Sequence, residues 1–382
     1  MKKRVLVMAG YYLPSVKGGG PIQSIKNMVD NLSDRIDFYI VASDRDLGDH
    51  KPFEGIEIDK WIKVGKANVF YTNKSLLTWK FIKNIIISTK CDILYLNSFF
   101  SYKDSIIPVI LRKINKISNV KIILAPRGQF SKGALNLKNR KKSLFINLSK
   151  KIGLYSDVIW HATADTEKHD VETIFGKKLN LVVANNLTEN YNDMIFKKEI
   201  KKNPGYIKIV FISRIHPKKN LKMAIELLVL VEGNVEFNIY GPIEDKLYWQ
   251  KCQDIIKRLP TNIHVSYKGV VEHEEIMKIY NEHHVFLFPT LGENFGHVIS
   301  EAFIGGCPVI ISDETPWRNL KAMKVGWDIN LHEHKEFVNA LQELINYSDE
   351  EYIKISKKAF EYGKEKSTNM KDIEIYNSLF SY

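Results

Sequence analysis

The chain has 382 residues, of which 45% are hydrophobic and 26% are charged, and this balance excludes wholesale disorder. A chain of this length usually folds as two domains, each with its own core. The three cysteines lie far apart and form no C-x-x-C pair, which argues against a zinc site and favours a reducing compartment. The sequence contains no run of about 18 apolar residues, so no segment is predicted to span a membrane.

The formal net charge of +12 is concentrated between residues 105 and 156, where the sequence contains no Asp or Glu. Twelve Lys and Arg residues lie in this basic window, so its excess charge equals that of the whole chain. An anionic partner is therefore expected at this half of the protein. The twelve residues are Arg112, Lys113, Lys116, Lys121, Arg127, Lys132, Lys138, Arg140, Lys141, Lys142, Lys150 and Lys151.

Strand-like apolar runs alternate with helix-length segments along the chain. The N-terminal MKKRVLVMAG has the charge pattern of a signal peptide. Its apolar run is short, however, and Pro14 follows without a small-residue cleavage site, so a buried first strand is predicted at Val5–Ala9. Strand–helix alternation predicts parallel, doubly wound sheets. The predicted strands are RVLVMA, IDFYIVAS, CDILYLNS, KIILAP and DVIWHAT, followed in the second half by IKIVFIS, EFNIYG, HVSYKG, HVFLFP and CPVIIS.

The alternation stops in a polar, charged stretch that ends with Pro204-Gly205 and divides the chain. We predict an N-terminal domain at 1–187, a linker at 188–205 and a C-terminal domain at 206–368. A last helix, at 369–382, either completes the second domain or crosses back onto the first. Ligands of open α/β sheets bind beyond the carboxyl ends of the strands, so site residues are expected in the loops there.

The segment GENFGHVISEAFIGGCPVI, at 292–310, contains Glu293 and Glu301 with seven residues between them. Apolar spacing predicts a helix that begins near Gly296, with Glu293 in the loop ahead of it and Glu301 inside it. At about 1.5 Å per residue, the carboxylates are about 7–8 Å apart along the axis. Between them the amides of Asn294, Phe295 and Gly296 lie at a helix N-terminus, which favours an anion. A nucleotide sugar has the matching layout of sugar hydroxyls, pyrophosphate and ribose diol.

This segment resembles the E-x7-E signature of retaining glycosyltransferases with the GT-B fold, specifically glycosyltransferase family 4. Three further segments resemble the family's Gly-rich loop with its first helix, a Pro-Arg-Gly pattern of the branch that builds capsule and O-antigen chains, and the Arg-x4-Lys donor motif. These segments are PSVKGGGPIQSIKNMVDNL, APRGQFSKGALNLKNRKKSLF and FISRIHPKKNLKMAIELL. The resemblance covers essentially the whole chain and implies an α/β fold of two facing, Rossmann-like, doubly wound domains.

For the second domain, the resemblance implies donor-binding residues. Arg214 and Lys219 would hold the diphosphate, with a solvated basic loop as the alternative. Val270 would lie near the nucleotide base. Glu301 would hold the ribose, and Glu293, the catalytic candidate, would face the donor sugar.

For the first domain, the resemblance implies that the loop with Gly19 and Gly20 closes over the diphosphate, with a plain flexible turn as the alternative. Many relatives place a histidine near the strand end where this chain has Arg127. Arg127 or His161, which ends the next strand, is therefore the catalytic candidate of this domain. A satisfied core histidine is an equal alternative for His161.

Metal and nucleic-acid signals are weak. Asp44-Arg45-Asp46 is a D-x-D, the metal motif of the competing GT-A fold, but no matching ligand follows it. The segment VEHEEIMKIYNEHH is more simply a surface helix. No metal, cofactor or nucleic acid is therefore expected, because no binding module for nucleic acid is present either.

The basic window is predicted to contain a basic amphipathic helix between residues 138 and 155. Such a helix suits the cytoplasmic face of an anionic membrane, and an ordinary surface helix is the alternative. Its apolar arc of about 100° is predicted from helical periodicity. The residues of that arc are Leu144, Phe145, Leu148, Ile152 and Tyr155.

These features predict a glycosyltransferase that moves a sugar from a nucleotide-diphosphate sugar to a polyprenyl-linked or other glycan acceptor. The resemblance alone implies retention of configuration and a role in bacterial surface polysaccharide synthesis, at the inner face of the cell membrane. Two alternatives stay open, a sugar-nucleotide epimerase of the same architecture and a non-catalytic glycan-binding paralogue.

Overall fold

Two parallel β-sheets organise the protein, in a computed structural model that describes residues 2–117, 120–131, 135, 139–191, 193–367 and 370–381. Met1–Glu189 with Asn369–Tyr382 form a first unit, and Asn190–Thr368 form a second. Lys132, Lys138 and the predicted helix start at residue 369 lie outside the described residues.

In the described part of the first unit, eight strands form a sheet in the order β3-β4-β2-β1-β5-β6-β7-β8. Neighbouring strands are parallel except β3 and β4, which form an antiparallel hairpin. Four successive residues of β1, from Val5 to Met8, are fully buried, as expected for a parallel strand covered on both faces. The strands are β1 Lys3–Gly10, β2 Ile36–Ser43, β3 Trp61–Val64, β4 Ala67–Thr72, β5 Ile93–Leu96, β6 Lys121–Leu124, β7 Val158–Ala162 and β8 Leu181–Val183.

Helices connect these strands and cover the sheet. Thr78 caps the second helix, because its side chain accepts a hydrogen bond from the Phe81 amide and satisfies an amide that the helix itself leaves open. The helices are α1 Gly20–Leu32, α2 Trp79–Thr89, α3 Ile107–Lys113, α4 Asn139–Lys151 and α5 Asp165–Phe175.

The described part of the second unit has a six-stranded parallel sheet in the order β11-β10-β9-β12-β13-β14. The strand order reverses between β9 and β12, so the crevice that binds ligands in doubly wound folds is expected there. The strands are β9 Tyr206–Ile212, β10 Asn234–Tyr240, β11 Ile263–Gly269, β12 Val285–Phe288, β13 Val309–Ser312 and β14 Gly326–Ile329. The helices are α6 Leu221–Leu228, α7 Lys246–Ile256, α8 His273–Asn281, α9 His297–Ile304, α10 Leu320–Met323, α11 His334–Asn346 and α12 Asp349–Ser367.

The ten predicted strands are all present, and the α/β class with two parallel-sheet units is confirmed. The sequence interpretation missed β3, β4, β8 and β14. β3, β8 and β14 are short and lie at sheet edges, and β4 alternates buried with half-buried residues, so partial exposure breaks up the apolar run that marks a buried strand. None of the described helices is long and apolar enough to cross a bilayer.

The segment between Asn190 and β9 packs as part of the second unit, although its sequence is polar. The Lys202 ammonium donates to the carbonyl oxygens of Asn203 and Ile345, each at 2.8 Å. Lys198 donates to the carbonyls of Tyr280 and His283, also at 2.8 Å. Lysine stems can cover apolar surface while their ammonium groups reach backbone acceptors, so a lysine-rich segment can pack against a domain. The sequence predicted a linker here because it considered the polar composition alone.

The C-terminal helix, α13 Met370–Leu379, belongs to the first unit. Tyr376 and Leu379 are buried in the core of that unit beside β1, β2 and β5. Its Asp372 carboxylate accepts hydrogen bonds at 3.2 Å from the side-chain amide of Asn185, just after β8. Of the two positions that the sequence left open for this helix, the structure has the one on the first unit.

Replacing Lys202 with Met tests the anchoring of this segment. Loss of the buried donor should lower the free energy of unfolding by about 1–3 kcal/mol in urea denaturation. Burial lowers the pKa of Lys202 from its ordinary value of 10.5 to about 8. Between these two pH values the unfolded chain binds more protons than the folded one, so the free energy of unfolding of the wild type should rise with pH relative to that of Lys202→Met. Lys201→Met, at an exposed neighbour, is the control, and equal effects of both variants would contradict the anchoring role.

Candidate active site

The loops that follow β9 and β12 are joined by hydrogen bonds at the carboxyl edge of the second sheet. The Leu291 amide donates to the Lys218 carbonyl at 2.8 Å, and the Thr290 hydroxyl donates to the same carbonyl at 3.1 Å. The Glu293 amide donates to the Glu314 carbonyl at 2.9 Å, in the loop after β13. Three strand ends therefore hold the Glu293 loop, residues 289–296, in one place.

The predicted helix after this loop begins where the spacing indicated. Helix α9 starts at His297, with Gly296 as its N-cap residue, Glu293 ahead of it and Glu301 inside it. Gly296 has φ +78°, and a Cβ there would lie 2.8 Å from the Ile299 side chain, so both backbone and space favour glycine. The positive end of α9 therefore lies immediately beyond the loop that carries Glu293.

Lys219 and Glu293 form an ion pair inside this edge. Lys219 ends the short turn Pro217–Lys219 that precedes α6, and its ammonium donates to Oε1 of Glu293. The two side chains are only 12% and 14% exposed. The Thr290 hydroxyl lies 3.3 Å from the same carboxylate oxygen. The sequence assigned these residues to separate parts of a donor, and the structure brings them into direct contact.

Arg214, after β9, pairs with a residue that the sequence interpretation missed. Its guanidinium donates to the Glu244 carboxylate at 2.7 Å, and both side chains are about one-third exposed. Glu244 belongs to no recognisable motif, and its position shortly after the end of β10 is the one signal that could have identified it. An anion could therefore reach Arg214, where it would compete with the Glu244 carboxylate.

Glu301 is buried, with 7% of its surface exposed. Burial raises the pKa of Tyr280 well above its usual range, and the nearby Glu301 charge adds to that rise. The Tyr280 hydroxyl donates to the Val298 carbonyl at 2.8 Å, within α9. Glu301 thus presents a small part of its surface, and its role in holding a ribose stays a prediction.

The remaining predicted residues of the second unit have distinct surroundings. Phe295 packs against Trp317 with the two rings tilted by 58°, and the Trp317 indole N–H donates to the Phe295 carbonyl at 2.6 Å. Val270, just after β11, is 45% exposed. Asn294 belongs to the same loop as Phe295, ahead of α9.

A cleft of about 360 Å³ opens beside these loops, between the start of α6 and the segment after β14. Leu291 and Glu314 belong to its lining, together with His332 and His334. None of the predicted donor residues lines it. The candidate site is therefore the open edge of the sheet rather than this cleft.

In the first unit, Asp46 fixes the loop that leads to Gly19 and Gly20. Its carboxylate accepts hydrogen bonds from the Ser15 hydroxyl and from the amides of Val16, at 3.0 Å, and Lys17, at 3.2 Å. Gly19 has φ +68° and precedes α1, whose first residue is Gly20. Asp46 is 6% exposed, so the weak D-x-D pattern marks a loop anchor.

Among the residues that the structure describes, no group of three or more His, Cys, Asp or Glu side chains is placed to hold a metal ion. Asp44, the other acid of the D-x-D, pairs with the neighbouring Arg45 at 2.8 Å.

Arg127 is the centre of a polar network at the carboxyl edge of the first sheet. It donates to the side-chain oxygens of Asn97 at 2.6 Å, of Tyr95 at 2.9 Å, and of Asn186. Its backbone has φ +56°, and the Glu167 carboxylate accepts a 2.6 Å hydrogen bond from the next amide, Gly128. These partners carried no motif signal, since each is isolated in sequence.

His161 is fully buried beside this network. Burial, with the Arg127 charge, lowers its pKa to about 3, so the imidazole is neutral at pH 7. Nε2 lies 2.9 Å from the Ala184 carbonyl and must be the protonated nitrogen, and Nδ1 therefore accepts the Tyr95 hydroxyl proton at 2.7 Å. Both nitrogens are engaged, which favours the core-histidine alternative.

Comparisons with known proteins bear on this architecture. Residues 193–364, within the second unit, match the family model for Glycosyl transferases group 1. No curated protein matches the chain. A structure of HepE from Anabaena with UDP and glucose superposes with a TM-score of 0.70 at 15% identity, covering 100% of both chains. The fold is GT-B.

Two further GT-B structures agree over the same extent. Sucrose-phosphate synthase from Thermosynechococcus elongatus has a TM-score of 0.72 at 13% identity, covering 100% of both chains. The lipopolysaccharide outer core galactosyltransferase WaaB has a TM-score of 0.61 at 15% identity, covering 100% of this chain and 99% of that one. At such identities the likeness shows the shared GT-B fold, whereas the match of 193–364 supports glycosyl transfer.

Replacing Asp46 with Asn tests the loop anchor. The Asn side chain keeps one acceptor oxygen, but its NH₂ group would face backbone N–H donors that need an acceptor. The free energy of unfolding should therefore fall by about 1–3 kcal/mol. Limited proteolysis should also cut between residues 15 and 20 faster than in the wild type. Asp49→Asn, which breaks only the more exposed ion pair with Lys17, is the matched control. Unchanged cleavage in Asp46→Asn would exclude anchoring.

Proposed function

We propose that the protein is a retaining glycosyltransferase that moves a sugar from a nucleoside-diphosphate sugar to a lipid-linked glycan during surface polysaccharide synthesis. The observation that carries this proposal is the pairing of Lys219 with Glu293, directly ahead of α9 and beside the reversal in strand order. Arg214 and Lys219 both lie in the loop after β9, and the Arg214 side chain is about one-third exposed.

This edge suits the departure of a diphosphate. Negative charge grows on the leaving group as the bond to the sugar breaks, and cations stabilise it most at that moment. Arg214 and Lys219 supply two positive charges, and the helix N-terminus supplies oriented amides. Each charge-assisted hydrogen bond to phosphate contributes about 1.5–3 kcal/mol. The reaction then needs no metal ion for charge neutralisation.

Glu293 is the catalytic residue of this proposal. In the structure its charge is compensated by Lys219. When a diphosphate attracts the Lys219 ammonium, the carboxylate is released toward the sugar, where positive charge develops. Binding of the donor is thus coupled to exposure of the negative charge that favours bond cleavage.

The comparisons support the donor class and the setting. HepE is described with UDP and glucose, and WaaB as a lipopolysaccharide galactosyltransferase. Retention and a lipid-linked acceptor follow from the motif resemblance, and the cytoplasmic face of a membrane is the corresponding location. The Gly19 and Gly20 loop and the Arg127 network are the proposed contributions of the first unit.

A thermal-shift panel of nucleoside diphosphates and nucleotide sugars in excess chelator tests donor binding. A ligand present at about 100 times its dissociation constant stabilises by about 2.7 kcal/mol, which is measurable as a rise in Tm. Lys219→Gln should remove most of this rise, whereas Lys222→Gln, at an exposed lysine in α6, should keep it. A rise that requires manganese would overturn metal independence, and no rise with any nucleotide would overturn the function.

Steady-state kinetics should distinguish the two glutamates. Glu293→Gln should lower kcat by on the order of 10²–10³-fold, because its charge acts mainly in the transition state. Glu301→Gln should mainly raise the donor KM, because a ribose contact acts equally in ground and transition states. Glu314→Gln, whose exposed side chain adjoins the Glu293 loop, is the control. Equal, small effects at positions 293 and 301 would refute both assignments.

The same assay separates the alternative functions. An epimerase would change the donor sugar without any acceptor, and a glycan-binding paralogue would bind without turnover. The proposal requires free nucleoside diphosphate to appear in step with an elongated glycan.

A further inference from the structure

The outward face of α4 carries an apolar stripe that nothing in the described first unit covers. Leu144 is 72% exposed, Leu148 is 56% exposed and Ile152 is 55% exposed. The Ile152 amide donates to the Leu148 carbonyl at 3.1 Å, so the helical spacing continues past the end of α4. Residues spaced by four lie on one side of a helix, which makes these three side chains a continuous stripe.

The opposite side of α4 accounts for its attachment to the unit. Ile146 and Ser149 are buried, and Phe145 and Tyr155 pack in the aromatic cluster around Phe99. The predicted single arc from Leu144 to Tyr155 is therefore wrong, because its members divide between the core and the solvent. The outer stripe is consequently not needed to hold the helix in place.

Positive charges border this stripe. At 3.6 residues per turn, Arg140, Lys141 and Lys151 project within about 60° of the line through Leu144 and Leu148. All three are exposed. No acidic residue occurs anywhere in the basic window, so α4 itself carries no carboxylate. We call these three cations with Leu144, Leu148 and Ile152 the α4 outer face.

We propose that the α4 outer face docks on an anionic lipid surface, with its apolar stripe entering the headgroup boundary and its cations contacting lipid phosphates. Apolar residues with flanking cations are the composition that such interfaces bind. A second copy fits less well, because a symmetric contact would place each patch against itself and oppose like charges. The inference deepens the proposed function, on which it rests for the lipid-linked acceptor, by naming the surface that brings the enzyme to it.

Co-sedimentation with vesicles tests this docking on the whole protein. The wild type should bind vesicles that contain phosphatidylglycerol, and bind phosphatidylcholine alone far less. Leu144→Ser with Leu148→Ser should lower the partition coefficient by at least about tenfold, because each leucine loses its transfer from water. Leu247→Ser, at a leucine of α7 that is also 72% exposed, is the matched control and should bind like the wild type.

A charge series tests the second half of the proposal. Gln at positions 140, 141 and 151 should weaken binding by about fivefold for each charge, and added salt should weaken wild-type binding. Gln at Lys321, Lys324 and Lys335, three exposed lysines of the second unit, is the control and should change nothing. Wild-type protein that ignores anionic vesicles at low salt would overturn the proposal. So would a concentration-dependent dimer abolished by the leucine changes.

Nucleotide-induced stabilisation separates this proposal from the enzymatic one. The leucine and charge variants should keep the full thermal shift with the donor, because they lie in the first unit and outside the proposed donor site. Vesicle binding without any nucleotide response would overturn the proposed function alone, and a nucleotide response without vesicle binding would overturn the docking alone.

Discussion

The contact between the Lys219 ammonium and the Glu293 carboxylate governs how the second unit can act. It joins the loops after β9 and β12, where the strand order reverses, and it is largely shielded from water. Removing one partner of a shielded pair leaves an uncompensated charge and costs about 3–5 kcal/mol, so neither residue is freely replaceable in the resting protein. In the proposed function an incoming diphosphate would supply a new partner for Lys219 and leave Glu293 to meet a new positive charge. Under that proposal the same pair stabilises the empty site and prepares it for the donor.

A second cation at this edge of the sheet is also paired with a carboxylate. Arg214 is matched by Glu244, just as Lys219 is matched by Glu293. Without a ligand these two cations thus form neutral pairs, and an anion must compete with a carboxylate at each of them. In the proposed function the phosphate groups of the donor must have a geometry that displaces both carboxylates. Selectivity of this kind would depend in part on Glu244, a residue that contributes no motif.

The sequence predicted ten of the fourteen described strands, the α/β class and the position of α9, because each depends on local periodicity or on the turn chemistry of glycine. It could not predict the Arg127 network, since Tyr95, Asn97 and Asn186 become neighbours only when three strand ends meet. His161 shows the same limit. A histidine at a strand end looks catalytic in sequence, and only its burial between Tyr95 and Ala184 makes it a neutral core residue. Asp46 was visible as an acid near an early strand, yet three of its partners, Ser15, Val16 and Lys17, lie in another loop.

Charge counting needs the same correction. Arg127 contributes to the basic window in sequence, but its guanidinium donates hydrogen bonds to Asn97 and Tyr95 in the network of the first sheet. Lys150 donates to the Ile174 carbonyl at 2.5 Å and so anchors α4 to the end of α5. Arg140, Lys141 and Lys151, beside Leu144 and Leu148, are exposed on the side of α4 opposite to its buried side. The significance of the basic window therefore lies less in its total charge than in the way folding places part of that charge around an apolar stripe.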